Sequence, residues 1–86
     1  MRTLLERTKD EINSNSHWSR KVVAINIYHN SKLNANSKYS LASTGRDLGL
    51  STAFISEAIK LAKALPDNPK LIHLSRRKAI FMVRNK

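Results

Sequence analysis

The chain contains no cysteine, and its 86 residues include only two glycines, two prolines and five aromatic side chains (one Trp, two Tyr, two Phe). The lack of cysteine excludes a disulfide framework and a thiolate metal site, and it is compatible with a reducing compartment. No apolar run approaches the ~20 residues of a membrane-spanning helix, and no stretch has the pattern of a secretory signal peptide. With 41% apolar residues, the chain suits a single domain with one small core.

Groups that carry out catalysis are also scarce. The three histidines, His17, His29 and His73, are far apart in the sequence and lack the paired spacing of a metal site. No glycine-rich phosphate loop is present, and serine is too frequent to mark one residue as a nucleophile. We therefore expect neither enzymatic activity nor a need for a metal or another cofactor.

Acidic residues are few relative to basic ones. The chain has 16 Lys and Arg against six Asp and Glu, which gives a formal net charge of +10 at pH 7. Such an excess of positive charge predicts a polyanionic partner. Nucleic acid is the first candidate, and an anionic membrane surface is the second.

The pattern of residues 41–65 predicts two short helices joined by a tight turn. Gly49 suits the left-handed position that ends a helix, because glycine has no Cβ. Ser51 is a good N-cap for the helix that follows. The first helix has small or apolar residues at helical spacing, Leu41, Gly45 and Leu48. Gly45 leaves room for a second helix to approach closely.

The second helix of this stretch has two faces when its residues are projected at about 100° per position. The apolar face comprises Ile55, Ala58, Ile59, Ala62 and Leu65. The other face comprises Thr52, Ala53, Ser56, Glu57, Lys60 and Lys63. Short polar side chains of this kind let a helix enter the major groove and reach base edges. The alternative is an ordinary helical hairpin, because any surface helix is polar on its outer side.

In these features residues 41–65 resemble the helix-turn-helix of phage Cro and repressor proteins. The resemblance rests on Gly45, on Leu48-Gly49-Leu50 at the turn, and on Ile55 with the pair Ala58-Ile59, and it covers about a quarter of the chain. It implies double-stranded DNA as the ligand and a bacterial cytoplasm or nucleoid as the place of action. It assigns base reading to Thr52, Ala53, Ser56 and Glu57.

The residues before this motif predict two further helices. A first, weakly apolar helix runs from Thr3 to Ile12. After a polar break, in which Asn15 or Ser16 caps the next element, a longer helix runs from about His17 to Asn30. A strand is the alternative there because residues 22–28 are rich in β-branched side chains, but the run exceeds strand length and lacks strict alternation. Trp18 is expected to anchor the core rather than to stack on bases, and residues 31–38 are expected to form a loop.

The residues after the motif allow two structures. In one, Pro69 begins a short helix and Ser75 caps another, which places Ala79, Ile80, Met82 and Val83 against the core. In the other, residues 71–83 form the β-hairpin of a winged helix-turn-helix. The hairpin tip, Ser75 to Lys78, contains no Gly, Asn or Asp, so helix is favoured.

A second set of residues is predicted to bind the phosphates of the DNA backbone. Arg76, Arg77 and Lys78 stand in a stretch without any acidic residue, and we expect them to form an exposed cluster on phosphates. The full set of expected phosphate contacts is Lys38, Arg46, Lys60, Arg76, Arg77 and Lys78.

Together these patterns predict an all-α domain over residues 1–86, either complete or the N-terminal part of a longer protein. Its expected function is sequence-specific binding of double-stranded DNA, as a small transcriptional regulator or as the targeting module of a replication initiator or nuclease. A homodimer on a palindromic or repeated site is expected as well. The alternative function is a basic module that binds an acidic protein or an anionic membrane surface.

Overall fold

Five α-helices and one 3₁₀ turn make up the fold in the computed structural model, which describes residues 2–85. The helices are α1 (Leu4–Asn13), α2 (Trp18–Ala35), α3 (Leu41–Leu48), α4 (Thr52–Ala64) and α5 (Arg76–Arg84), with the 3₁₀ turn at Pro69–His73 between α4 and α5. No strand forms within residues 2–85. The all-α prediction is therefore confirmed, and the β-hairpin at residues 71–83 is not formed.

Four of the five α-helices have a serine or threonine as N-cap. Thr3, Ser40, Ser51 and Ser75 each accept a hydrogen bond from a backbone N–H in the first turn of α1, α3, α4 and α5. Such caps satisfy donors that have no partner within the helix. The helix starts predicted at Ser51 and Ser75 are therefore confirmed.

The start of α2 differs from the prediction. Its N-cap is His17, whose Nδ1 accepts from the Ser19 N–H at 3.1 Å, rather than Asn15 or Ser16. Ser16 is engaged elsewhere, because its hydroxyl donates to the Glu11 carboxylate at 2.9 Å at the end of α1. The end of α2 also differs, since the helix continues through Ala35 although the sequence predicts a loop from Ser31. The extension is exposed and carries Lys32, whose ammonium lies 5.7 Å from the Tyr28 ring centroid one turn earlier.

The core is built around α4. Ile55, Ala58 and Leu61 are at most 1% exposed, and α4 contacts α2, α3 and α5. Leu61 is not part of the predicted apolar face. It is buried because α5 covers a second side of α4. The buried face of α4 is therefore wider than it would be if α4 packed against α2 alone. The remaining buried apolar side chains are Ile59 and Ala62 of α4 and, from the neighbouring elements, Val22, Ile25, Tyr28, Leu48, Leu71, Ala79 and Ile80.

Trp18 joins the start of α2 to the C-terminal segment. Its ring packs against the core, and its Nε1–H donates to the carbonyl of Leu74 at 2.9 Å. This contact places the entrance of α5 beside α2. Ala79 and Ile80 of α5 are buried as predicted, but Met82 is 51% exposed, at the edge of the side of α5 that packs on the core.

Candidate nucleic-acid interface

The turn between α3 and α4 has the geometry that the sequence predicts. Gly49 has φ +73°, which places it in the left-handed region, and the N–H of Leu50 donates to the carbonyl of Gly45 at 2.8 Å. Ser51 then caps α4 by accepting from the Phe54 N–H at 3.1 Å. Only two residues, Leu50 and Ser51, separate Gly49 from the first residue of α4, so the two helices are held in a fixed relation.

Gly45 makes this tight turn possible. A Cβ at that position would lie 2.6 Å from the carbonyl oxygen of Leu50. The prediction of a close approach is therefore confirmed, although the approaching group is the backbone of the turn rather than a second helix. Because the neighbour is backbone, any side chain at position 45 would displace the turn.

A polar network fixes α3 on α2. Both Tyr28 of α2 and Tyr39 donate their hydroxyl hydrogens to the Asp47 carboxylate of α3, Tyr28 at 2.8 Å. His29 Nδ1 and the Thr44 hydroxyl share a hydrogen bond of 2.6 Å. Burial, together with the hydrogen bond to Asp47, raises the pKa of Tyr28 to about 12. Tyr28 therefore stays a hydrogen-bond donor at neutral pH, and the network sets the position of the motif on the rest of the domain.

The buried histidine predicts a pH dependence of stability. Burial, and to a lesser degree the charge of Lys63, lowers the pKa of His29 below 6.5. The unfolded chain then binds the proton more readily, so this stabilisation is complete above pH 6.5 and is lost as the pH falls toward the folded pKa. We expect the free energy of unfolding to be constant above pH 6.5 and to decline as the pH falls below it.

Denaturant titrations across this range test the prediction. The variant His29→Gln should flatten the decline, while His73→Gln, at an exposed position, should leave it unchanged. Glu6 and Glu11 do not interfere, because hydrogen bonds from Thr3 and from Ser16 with Ser14 lower the pKa of these carboxyls below 4.5. An unchanged slope in His29→Gln would show that another group controls stability near neutral pH.

The outward face of α4 is mainly polar and carries no large apolar side chain. Thr52, Ala53, Lys60 and Lys63 are exposed, and Ser56 is half-buried one turn into the helix. In the projection at about 100° per residue these five positions form one continuous sector. The structure thus presents short side chains at the start of α4 and ammonium groups toward its end. Base reading by Thr52, Ala53 and Ser56 stays a prediction.

Glu57 lies at the edge of that sector, on the side of α5. Its Oε2 accepts from the Arg76 guanidinium at 3.2 Å and its Oε1 accepts from the Arg84 guanidinium at 3.1 Å. The Arg76 guanidinium carbon also lies 4.9 Å from the centroid of the Phe54 ring. The predicted basic cluster is therefore only partly exposed: Arg77 and Lys78 are exposed, whereas Arg76 is half-buried and opposed by an acid from α4. Base reading by Glu57 also stays a prediction, although its carboxylate already has two partners.

The other predicted phosphate contacts are distributed over the elements around the motif. Lys38 is exposed in the turn before α3, Arg46 is exposed on α3, and Lys60 is exposed on α4. Sequence reasoning did not find Arg84, nor its pairing with Glu57. The sequence separations of Glu57 from Arg76 and Arg84 are 19 and 27 residues, so no local pattern relates them.

Residues 2–85 contain neither a candidate metal site nor a candidate membrane-spanning helix. Among them, no group of three or more His, Cys, Asp and Glu side chains is arranged to hold a metal ion. Within the same residues, no helix has the length and apolar character required to cross a membrane. Comparisons of the chain with protein-family models, with curated proteins and with solved structures gave no match.

Proposed function

We propose that this protein binds double-stranded DNA sequence-specifically, with α3 and α4 as a helix-turn-helix and α4 as the helix that enters the major groove. The observation that carries the proposal is the pair of capped helices joined at Gly49, with a polar outward face on the second helix. Thr52, Ala53 and Ser56 at the start of α4 are the proposed base contacts. The net charge of +10 supports a polyanionic ligand.

The first turn of α5 supports the proposal independently. It contains Arg76, Arg77 and Lys78 and no acidic residue. The N-terminal end of a helix carries partial positive charge, so cations there disfavour the helix rather than stabilise it. Arg76 is compensated by Glu57, but Arg77 and Lys78 are not paired with an acid among residues 2–85. Cations at this end of α5 therefore do not serve the stability of the helix, and binding of an anion would account for them. Arg77 and Lys78 are exposed at that end, where phosphate oxygens would be bound both by their side chains and by the helix terminus.

One observation favours a second candidate function, binding to an anionic membrane surface. Phe81 and Met82 on α5 are 66% and 51% exposed, and Arg77 and Lys78 precede them on the same helix. Basic helices that lie on membranes combine such exposed apolar side chains with cations. The outward face of α4 has no large apolar side chain among Thr52, Ala53, Ser56, Lys60 and Lys63, which is why DNA is the first proposal.

In the cell, we propose a regulator of transcription, or the targeting module of a replication initiator or nuclease of a phage, plasmid or mobile element. Its place of action would be the bacterial cytoplasm or nucleoid. These roles follow from the resemblance of residues 41–65 to phage repressors and share one requirement, a preferred duplex sequence. Selection of bound sites from a random duplex library would identify that sequence.

Salt dependence tests the proposed function. Each neutralised phosphate contributes about 0.9 to the slope of log affinity against log salt, so five to seven contacts predict a slope near −5. Fluorescence anisotropy of a labelled duplex measures it, with vesicles of anionic phospholipid as the parallel ligand. A nearly flat response to salt, or binding to vesicles but to no duplex, would reject the DNA proposal.

We further propose that the protein binds its specific site as a homodimer, because a single helix-turn-helix reads few base pairs. Two apolar faces are exposed for such a contact: Val23, Ile27 and Ile72 on one side, and Phe81 with Met82 on α5. Sedimentation of the complex on a selected site should show two chains per duplex. Ile27→Glu and Phe81→Glu, tested separately, should identify the face that pairs; one chain per asymmetric site would exclude the dimer.

A further inference from the structure

The contact between Glu57 and α5 joins the proposed reading helix to the proposed phosphate-binding helix. One carboxylate accepts from two guanidinium groups, Arg76 at 3.2 Å and Arg84 at 3.1 Å, and the Glu57 side chain is only 22% exposed. Arg76 is at the first residue of α5 and Arg84 at its last. Glu57 therefore holds α5 at both ends, along the edge of the outward face of α4.

The two arginines retain donors for another ligand. A guanidinium has five N–H donors, and each of these arginines uses one on Glu57. Arg76 is held further by the Phe54 ring, with its guanidinium carbon 4.9 Å from the ring centroid. Arg84 is 53% exposed. A guanidinium that is already oriented loses less conformational freedom when it binds a phosphate.

Charge also argues against a free carboxylate on this surface. An unpaired Glu57 would repel the phosphates on either side of a helix in the major groove. When Glu57 is paired with Arg76 and Arg84, the three side chains together carry a charge of +1. The arrangement thus presents positive charge at a position where the sequence alone shows negative charge.

We propose that Glu57 is a positioning residue, which orients Arg76 and Arg84 toward the phosphates of the DNA strand that flanks α4, and that it does not read a base. This inference rests on the proposed function. It differs from the sequence expectation, in which Glu57 accepts a hydrogen bond from cytosine. The two roles predict different results for the same substitution: a uniform loss of affinity for the positioning role, and a loss of sequence preference for base reading.

The test is Glu57→Gln, measured against a selected and a scrambled duplex. Removing a negative charge should by electrostatics alone raise affinity for every duplex. The positioning role predicts instead that affinity falls by about three- to tenfold for both duplexes, with their ratio unchanged. Asp67→Asn is the matched control, because Asp67 is an exposed acid in the segment between α4 and the 3₁₀ turn, and it should raise both affinities slightly.

Two results would overturn the inference. One is loss of preference for the selected duplex with scrambled affinity retained or raised, as expected of a base-reading residue. The other is a change equal to that of Asp67→Asn, which would mean that Glu57 contributes only its charge. Thermal melts check folding of the variants, and Glu57→Asp, which keeps the charge but shortens the reach to both arginines, should show the same uniform loss.

A measurement without DNA separates this inference from the proposed function. In the free protein, the Nη–H signals of Arg76 and Arg84, the groups that donate to Glu57, should be protected from exchange in ¹H–¹⁵N spectra. Glu57→Gln should remove the protection of at least one of the two arginines, because the amide keeps only one acceptor oxygen. Failure of the wild-type chain to bind any duplex would reject the proposed function and the positioning role together. Unprotected signals in a wild-type chain that does bind duplex would reject the positioning role alone.

Discussion

Replacement of Ile55 by alanine is expected to lower the free energy of unfolding by roughly 2–4 kcal/mol. Ile55 is fully buried at the first turn of α4, a helix that packs against α2 and α3, and its truncation leaves a cavity that the helix cannot close without moving the turn. Small domains have about 5–15 kcal/mol of stability in total, so the loss is a large part of it. Leu48→Ala, at the end of α3, is expected to cost a similar amount since Leu48 is 7% exposed.

The matched control for this substitution is Ile27→Ala. Ile27 is the same residue type but is 54% exposed on α2, and its truncation should change stability by less than about 0.5 kcal/mol. Trp18 is the single tryptophan of the chain, so its fluorescence reports denaturant unfolding without a label. Equal midpoints for Ile55→Ala and Ile27→Ala would contradict the role of α4 as the centre of the core. Ile55→Ala should also weaken binding to all duplexes alike, through loss of folded protein.

Much of the fold can be predicted because its signals are local. The end of α3 and the start of α4 depend on Gly49 and Ser51, whose preferences arise from their own backbone and side chain. Helix rather than hairpin after Pro69 follows from residues 75–78, which lack the types that a hairpin turn requires. The projection of α4 at about 100° per residue is enough to separate Ile55 and Ala58 from Thr52 and Ser56.

The remainder depends on tertiary contacts that local patterns do not contain. Leu61 is buried because α5 covers a second side of α4, and Met82 is exposed because α5 is covered on one side only. The helix start at His17 depends on the engagement of Ser16 with the end of α1. The last residues of α2, 31–35, are exposed. Their serine and asparagine predict a loop, but the helix continues through them. In each case the local residues favour one structure or one degree of burial. The observed one is determined by a contact distant in sequence or by continuation of a helix that has already formed.

The candidate site divides in the same way. Its exposed positions, Thr52, Ala53 and Lys60, follow from helical periodicity, whereas the pairing of Glu57 with Arg76 and Arg84 required three-dimensional structure. A basic stretch without acids in the sequence is thus not a basic surface without acids in the fold. Arg77 and Lys78 are the members of the predicted cluster that stay exposed. They are therefore the residues with which backbone binding can be separated from base reading.

Ser56→Ala and the double variant Arg77→Gln/Lys78→Gln are expected to weaken DNA binding in two different ways. Ser56 lies on the outward face of α4, and its loss should reduce preference for the selected duplex by about 1–3 kcal/mol while affinity for scrambled duplex is retained. Arg77 and Lys78, at the start of α5, should contribute to every duplex equally. Their neutralisation should weaken all binding and reduce the salt slope by roughly one for each phosphate that is no longer neutralised.

Matched controls make this comparison specific. Ser31→Ala removes the same hydroxyl from an exposed position on α2, and Arg7→Gln/Lys9→Gln removes the same charge from exposed positions on α1. If net charge alone governed affinity, the double variants in α1 and α5 would weaken binding equally, whereas direct phosphate binding predicts the larger loss for α5. Titrations against selected and scrambled duplexes at several salt concentrations measure both quantities at once. A change of sequence preference in the α5 variant, with none in Ser56→Ala, would mean that α5 rather than α4 reads the bases, because only the helix in the groove can distinguish one sequence from another through side-chain contacts.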